Sequence, residues 1–392
     1  MTRFIVRDPE RTRRQIGLAL YVICTVAGGA LLQSIFLLPL LAEHNGMRHL
    51  ENMGVGATLA FPAVLVYMTV PRLLDRYDPE PWWALVMVFV WGALAACGFS
   101  ATINTYIGHV IGQREAAMFS APVVEEFWKG LAVFWMFYFW RREFDGLVDG
   151  VIYAIFVALG FAAIENVIYY AQAGAESGDK LTGTFILRGV ITPWAHPLFT
   201  SMTGLGFGMA REGIRPWVRS LAPLGGYLLA VVLHMIWNSA ALFSSSSDVP
   251  LMMVLLPLWF LAVAAFGALM FALVLRRGRI IRAYLRDEVL LGTLTGEELQ
   301  LAGSAFGQFH ARWGVYGRVR AELVQTAARL ALSKWHAVRA SEGNRSTLSF
   351  EFIHPLRQHI QALRAQLPAS HPRPSPRPPP VAAPRSVRPP PR

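Results

Sequence analysis

The strongest constraint on this chain is the recurrence of apolar runs long enough to cross a bilayer. A spanning helix needs about 20 predominantly apolar residues. Eight stretches approach or exceed that length: 16–42, 54–70, 82–104, 115–140, 147–171, 188–210, 218–244 and 250–275. Hydrophobic residues make up 54% of the chain and charged residues only 16%, against about 25% charged in ordinary soluble proteins. That balance excludes a simple soluble globule and is too apolar for wholesale disorder. The first run is longer than a signal-peptide core and has no small-residue cleavage site after it. The second is the shortest and carries Pro62.

Loop cations orient the spans, because cytoplasmic loops carry the excess of Lys and Arg. Arg3, Arg7, Arg11, Arg13 and Arg14 precede the first run. Placing that end in the cytoplasm also places Arg72, Arg76, Arg141, Arg142, Arg211, Arg215 and Arg219 there, and leaves only Arg48, Arg114, Lys180 and Arg188 outside. Both termini are then cytoplasmic, as an even number of spans requires. The expected class is an all-α polytopic protein of a bacterial inner membrane with about eight transmembrane helices. Residues 1–15 form a basic cytoplasmic N-terminus and 16–275 the membrane domain. Residues 276–367 are expected to form a small helical cytoplasmic module, and 368–392 a disordered Pro/Arg-rich tail.

The charge is unevenly spread. Residues 1–275 hold 17 Lys+Arg and 18 Asp+Glu, whereas 276–392 hold 19 and 7, so the net +11 lies wholly in the last part. Arg276, Arg277, Arg279, Arg282 and Arg286 follow the last span directly and suit either anionic-lipid contact or simple topological anchoring. Thr295-Gly-Glu-Glu298 has capping-box form. Leu323, Ala327, Leu330, Leu332 and Trp335 make an apolar stripe interrupted by Arg320, Arg329 and Lys334. The proline-rich end reads as extended and solvated. Nucleic-acid binding is not expected, since aromatic interleaving and any binding motif are missing. Cys24 and Cys97 both fall inside spans and read as packing residues.

Ionisable groups inside a bilayer cost a few kcal/mol even on mild scales, so they mark function by default. Glu125, Glu126 and Lys129 lie in the fourth span, Glu165 and Asn166 in the fifth, His196 in the sixth, and His234 and Asn238 in the seventh. At 1.5 Å rise per residue, Glu126, Glu165, His196 and His234 sit roughly 9–17 Å from the outer ends of their spans. Four spans bringing polar groups to one level suggest a single site open to the extracytoplasmic side. His234 and Asn238 are spaced i,i+4, as are Glu125 and Lys129, so each pair shares a helix face. Such a set could bind Zn²⁺ with an open position. A Glu could equally act as general base while His and Asn donors stabilise an oxyanion. Structural ion pairs between helices and a transport pathway are the competing readings.

These residues also carry a family resemblance. Glu125-Glu126-Phe-Trp-Lys129 looks like the first motif of PrsW-type intramembrane proteases. Asp149-Gly150-Val-Ile-Tyr153, leading to Gly160-Phe161-Ala-Ala-Ile-Glu165-Asn166, resembles their second. Arg188 through His196, followed by Gly204-Leu-Gly206-Phe-Gly208, resembles the third, and His234-Met-Ile-Trp-Asn238 the fourth. The loop from Leu74 to Pro81 is similar as well, and the likeness covers roughly residues 54–245. The broader group includes CAAX-prenyl endopeptidases and bacteriocin-immunity-like membrane proteins.

The resemblance implies a membrane metalloprotease that cleaves membrane proteins, in some relatives making the first cut in an anti-sigma factor. It implies Glu125, Glu126, Glu165, His196, His234 and Asn238 as catalytic, with Lys129, Phe161 and Asn166 in support. Glu126, His196 and His234 are the implied metal ligands, with zinc as the metal. Position 238 departs from the pattern, since many relatives have Asp there. The motifs of other intramembrane proteases are missing: no His-Glu-x-x-His, Gly-x-Gly-Asp or Gly-x-Ser-x-Gly occurs.

Overall fold

A helix that is apolar on every side must be enclosed on every side, and Leu147–Glu176 is such a helix, the most enclosed of the long ones. The computed structural model describes residues 9–39, 46–246, 251–344, 347 and 349–368. Arg3, Arg7 and the Pro/Arg-rich segment from 369 onward lie outside the described residues. No strand occurs among the described residues. The chain divides into two units. Unit one comprises 1–75 and 79–273, and unit two comprises 76–78 and 274–392.

Unit one contains α1 (Glu10–Leu37), α2 (Gly46–Leu73), α3 (Trp82–Ile111), α4 (Ala121–Phe139), α5 (Leu147–Glu176), α6 (Ala195–Glu212), α7 (Pro216–Ser246) and most of α8 (Leu251–Tyr284). Among the described residues six stretches are long and apolar enough to cross a membrane: α1, α2, α3, α5, Pro216–Phe243 and Leu256–Leu290. The other two expected spans differ for identifiable reasons. The one over 115–140 is helical as α4, but Glu125, Glu126 and Lys129 make it too charged to count as apolar. The one over 188–210 is not continuous. Pro193 cannot continue a helix, so a π-helical turn Ile186–Ile191 ends there and α6 starts at Ala195. His196 therefore sits in the first turn of a helix. α5 also runs five residues beyond the expected 171, to Glu176.

α5 presents one face to each of two apolar clusters. Val151, Ile155, Leu159 and Ala163 recur every four residues and pack with Phe199 of α6 and with Trp259, Phe266 and Met270 of α8. Ile152, Tyr153, Phe156 and Val157 pack with Leu85, Val88 and Trp91 of α3 and with Val133 and Met136 of α4. Glycines allow these helices to approach. A Cβ on Gly150 would lie 2.2 Å from the Gly204 carbonyl oxygen, and a Cβ on Gly204 would lie 2.2 Å from the Gly150 oxygen. The pair marks an α5–α6 crossing in backbone contact, the geometry that small residues permit in membrane bundles. The start of α5 is held by carboxylates, which suit the positive end of a helix dipole. Asp149 Oδ2 accepts from the Asp145 and Gly146 amides at 2.8 and 2.9 Å, and Glu212 Oε1 accepts from Leu147 at 3.0 Å.

Unit two contains α9 (Arg286–Leu290), α10 (Gly296–Ala302), α11 (Gly307–Ala311), α12 (Gly317–Glu342) and α13 (Ser349–Ala365). The Thr295–Glu298 capping box is formed, with Thr295 Oγ1 accepting from the Glu298 amide at 3.2 Å and Glu298 Oε2 accepting from the Thr295 amide at 2.7 Å. The stripe on α12 is buried. Its interrupting cations are paired: Arg320 with Glu297, Arg329 with Asp78, and Lys334 with Asp287 and Glu288. Several arginines expected to meet lipid are used inside this unit. Arg277 is buried, Arg276 lies over the Trp335 ring, and Arg282 donates to the Gly303 carbonyl at 2.6 Å.

Gly150→Val should destabilise unit one by at least about 1–3 kcal/mol, the range for overpacking, because the contact is backbone and cannot swing away. Gly183, with nothing within 4 Å of an added Cβ, should tolerate Ala. Thermal melting of the detergent-solubilised full chain measures both, and an unchanged Gly150→Val melting temperature would refute the close crossing.

Candidate active site

The site is built around Lys129. It lies on α4 one turn from Glu125 and Glu126, so all three side chains share a face. The ammonium is fully buried and has three donors. They go to Glu126 Oε1 at 3.0 Å, Glu125 Oε2 at 3.3 Å and His196 Nδ1 at 3.1 Å. The Phe161 ring of α5 closes the remaining side, with its centroid 3.8 Å from Nζ.

This network assigns the tautomers of both histidines. His196 Nδ1 accepts from Lys129, so its Nε2–H donates to Glu165 Oε2 at 2.8 Å. Glu126 accepts from Lys129 and, through Oε2, from the Thr200 hydroxyl at 2.8 Å. A carboxylate only accepts, so His234 Nδ1–H donates to Glu126 Oε1 at 3.1 Å. The unprotonated Nε2 of His234 is left facing Glu125 Oε2 at 3.9 Å. The two imidazoles stand at 5.1 Å between centroids, and His234 stacks on Phe199 at the same separation. Glu165 is also paired with Arg188, whose Nε donates to Asn166 Oδ1 at 2.8 Å and whose guanidinium covers the Tyr169 ring.

Of the residues expected from sequence, Glu125, Glu126, Lys129, Phe161, Glu165, His196 and His234 come together, and Asn166 joins through Arg188. Asn238 does not. Its Nδ2 donates to the Ala117 carbonyl at 2.9 Å, tying α7 to the π-helical turn before α4. Spacing put Asn238 on the face of His234, but that turn offers a nearer acceptor. Arg188 and Thr200 complete the site and were not expected there. Arg188 was the cation nearest His196 in sequence, and Thr200 stands one turn beyond His196 on α6, so both carried a weak positional signal.

The donor set suits a divalent metal. Glu125, His196 and His234 each offer one ligand atom, and these lie within 4.8 Å of one another. Ligand atoms about 2.0–2.1 Å from a tetrahedral zinc stand roughly 3.4 Å apart, so modest side-chain closure suffices. Each imidazole is held by a carboxylate on one nitrogen, the arrangement that orients metal-binding histidines. The other nitrogen of His234 faces Glu125, whereas that of His196 accepts from Lys129 and would have to exchange the ammonium for a metal. Among the described residues the three carboxylates face the Lys129 and Arg188 cations alone, which leaves a formal negative charge with neutral imidazoles. The gathered trio has Glu125 where Glu126 was expected, because Glu126 is committed to Lys129, Thr200 and the far nitrogen of His234.

Comparison with known proteins falls on this region. Residues 80–274 match the PrsW family of intramembrane metalloproteases. The chain is 29% identical over 195 residues to Protease PrsW of Geobacillus kaustophilus (strain HTA426), covering 49% of this chain and 81% of that protein. It is 29% identical over 191 residues to Protease PrsW of Oceanobacillus iheyensis, covering 47% and 82%. It is 32% identical over 151 residues to Protease PrsW of Clostridioides difficile (strain 630), covering 37% and 62%. No solved structure matches.

Lys129→Met should destabilise the folded chain by about 3–5 kcal/mol, the cost of leaving buried charges without their partner. The measurement is the melting temperature of the purified variant. A variant as stable as the parent would mean that Glu125 and Glu126 do not depend on this ammonium.

Proposed function

Residues 80–274 make this chain a PrsW-type intramembrane protease, and on that premise we propose that it hydrolyses peptide bonds of membrane proteins at the Glu125/Glu126/Glu165/His196/His234 cluster. The observation that supports this reading is the pair of imidazoles, each oriented by a carboxylate, whose ligand atoms gather with one of Glu125 within 4.8 Å. Glu125, His196 and His234 would hold a divalent metal, with zinc the ion best suited to two imidazoles and one carboxylate. When bound, the metal supplies polarisation of the scissile carbonyl and a lowered pKa of water.

The protein's own groups do the rest. Glu126 and Glu165 hold the two rings. Lys129 balances the buried carboxylates of α4, and Arg188 pairs with Glu165. Glu125 Oε1 makes no hydrogen bond among the described residues, so it takes the proton of the attacking water. Passing that proton to the departing amine nitrogen as the C–N bond breaks completes hydrolysis. Asn238 acts through position, by fixing the turn from which α4 starts.

The substrate we propose is a membrane-anchored regulatory protein of the anti-sigma-factor type, cut first here. The outer-half depth of the cluster expected from sequence suits such a cut. The proposed setting is a bacterial inner membrane, with eight spans and both termini cytoplasmic. Arg279 and Arg286 are available there for anionic lipid.

Glu125→Gln and His234→Ala should each lower cleavage by about 100-fold or more, the scale of general acid–base catalysis. Asn238→Ala should retain most of it. Comparing membrane-protein fragments in cells carrying each variant reads this and names the substrate. Unaltered fragments in both of the first two variants would refute the site. Purified protein should carry about one zinc per chain, measured by elemental analysis. The metal should be lost in His196→Ala and kept in Asn238→Ala. Metal-free parent protein with full activity would remove the metal from the reading.

A further inference from the structure

Unit two carries a surface that the proteolytic cluster does not use. Between α11 and α12 the chain makes a tight loop, Arg312–Gly317, and exposes large apolar side chains on it. Val315 is 96% exposed and Trp313 68%, and Phe309, in α11 just before the loop, is 56% exposed. Tyr316 is exposed beside them. This is a built projection. Gly314 takes φ +103°, a conformation that side-chain-bearing residues rarely adopt. A Cβ on Gly317 would lie 1.8 Å from the Arg312 carbonyl oxygen. The Gly317 amide donates to the Gly314 carbonyl at 3.0 Å, closing the loop. The backbone is thus specialised to hold Trp313 and Val315 outward.

A cavity of about 650 Å³ adjoins the base of this loop, lined by Arg312, Arg318, Gln325, Arg329, Glu322 and His359 among others. Its volume is in the range of small-molecule sites. Arg329 is paired with Asp78 and Glu322 with His359. Arg312 and Arg318 have no counter-charge among the described residues. They flank the apolar tip on either side in the chain. Trp and Tyr at an apolar–polar boundary, with arginines immediately behind, are the composition of a membrane-interface anchor. The segment also follows in the chain on the long apolar stretch Leu256–Leu290.

We propose that this loop inserts Trp313, Val315 and Tyr316 into the interfacial region of a bilayer while Arg312 and Arg318 bind the phosphate of an anionic phospholipid headgroup at the cavity. Insertion is driven by the exposed apolar tip. The arginines select anionic lipid and contribute about five-fold each to the partition. The proposal is independent of the proteolytic reading, and its residues differ from the arginine cluster over 276–286, at the end of α8 and just beyond it.

The test places a nitroxide at Val315→Cys in the full chain, with Cys24→Ser and Cys97→Ala to remove the native thiols. The protein is reconstituted in phosphatidylethanolamine vesicles with and without phosphatidylglycerol. Relaxation by dissolved oxygen and by a water-soluble nickel chelate reports depth. With phosphatidylglycerol, oxygen accessibility should exceed chelate accessibility. Arg312→Glu with Arg318→Glu should return the label to water, as should omitting phosphatidylglycerol. All substituted positions in unit two are exposed, so the fold is not at risk there. A label open to the chelate in every vesicle overturns the proposal. A label closed to both reagents also overturns it, because the loop is then covered by protein. Insertion unaffected by lipid charge and by the arginine reversals overturns the headgroup assignment.

Discussion

Lys129 carries a full charge on a side chain without solvent exposure, and that charge is tolerable only because every N–H of its ammonium has an acceptor. The acceptors come from its own helix and from α6, while α5 supplies an aromatic face. Satisfying one cation therefore specifies how three helices meet. The consequences spread outward. Lys129 fixes the tautomer of His196, which fixes the proton shared with Glu165. Glu126 passes the same constraint to His234 on α7. A desolvated ion is costly, and its partners must be placed well to offset that cost, so the polar cluster is also a rigid one.

Rigid placement needs a frame, and α5 provides it. It is apolar all round and lies between two clusters of large side chains. Glycines at its crossing with α6 bring the backbones into contact, which leaves no room for the helices to slide. Asp149 and Glu212 hold its beginning. The Asp149-Gly150 motif near Tyr153 is therefore architectural: one residue caps the helix and the next permits the crossing.

The two units use arginine differently from what charge counting suggests. The basic excess lies in the last part of the chain, yet Arg276, Arg282 and Arg320 have partners inside unit two and Arg277 is buried. Arg312 and Arg318 do not, and they stand beside an apolar projection that glycines hold in shape. Composition sees only the sum of these charges. Pairing depends on which carboxylates and carbonyls the fold brings near.

Periodicity and length sufficed for the all-helical membrane character, since apolar runs of spanning length have few alternatives in water. The cost of ionisable groups inside apolar runs singled out Glu125, Glu126, Lys129, Glu165, His196 and His234 as candidates, and i,i+3 and i,i+4 spacing put Glu125, Glu126 and Lys129 on one face. The break at Pro193, which put His196 in the first turn of α6, follows from a local rule that length counting overrode. Two things depended on tertiary structure. Asn238 turned to the Ala117 carbonyl, which sequence could not place within its reach. Glu125 rather than Glu126 gathered with the two imidazoles, because only the packed arrangement decides which of two adjacent carboxylates Thr200 and His234 occupy. Local spacing determines which side chains share a helix face. Which of them meet across helices is decided by the crossings, and those depend on contacts between residues far apart in the chain.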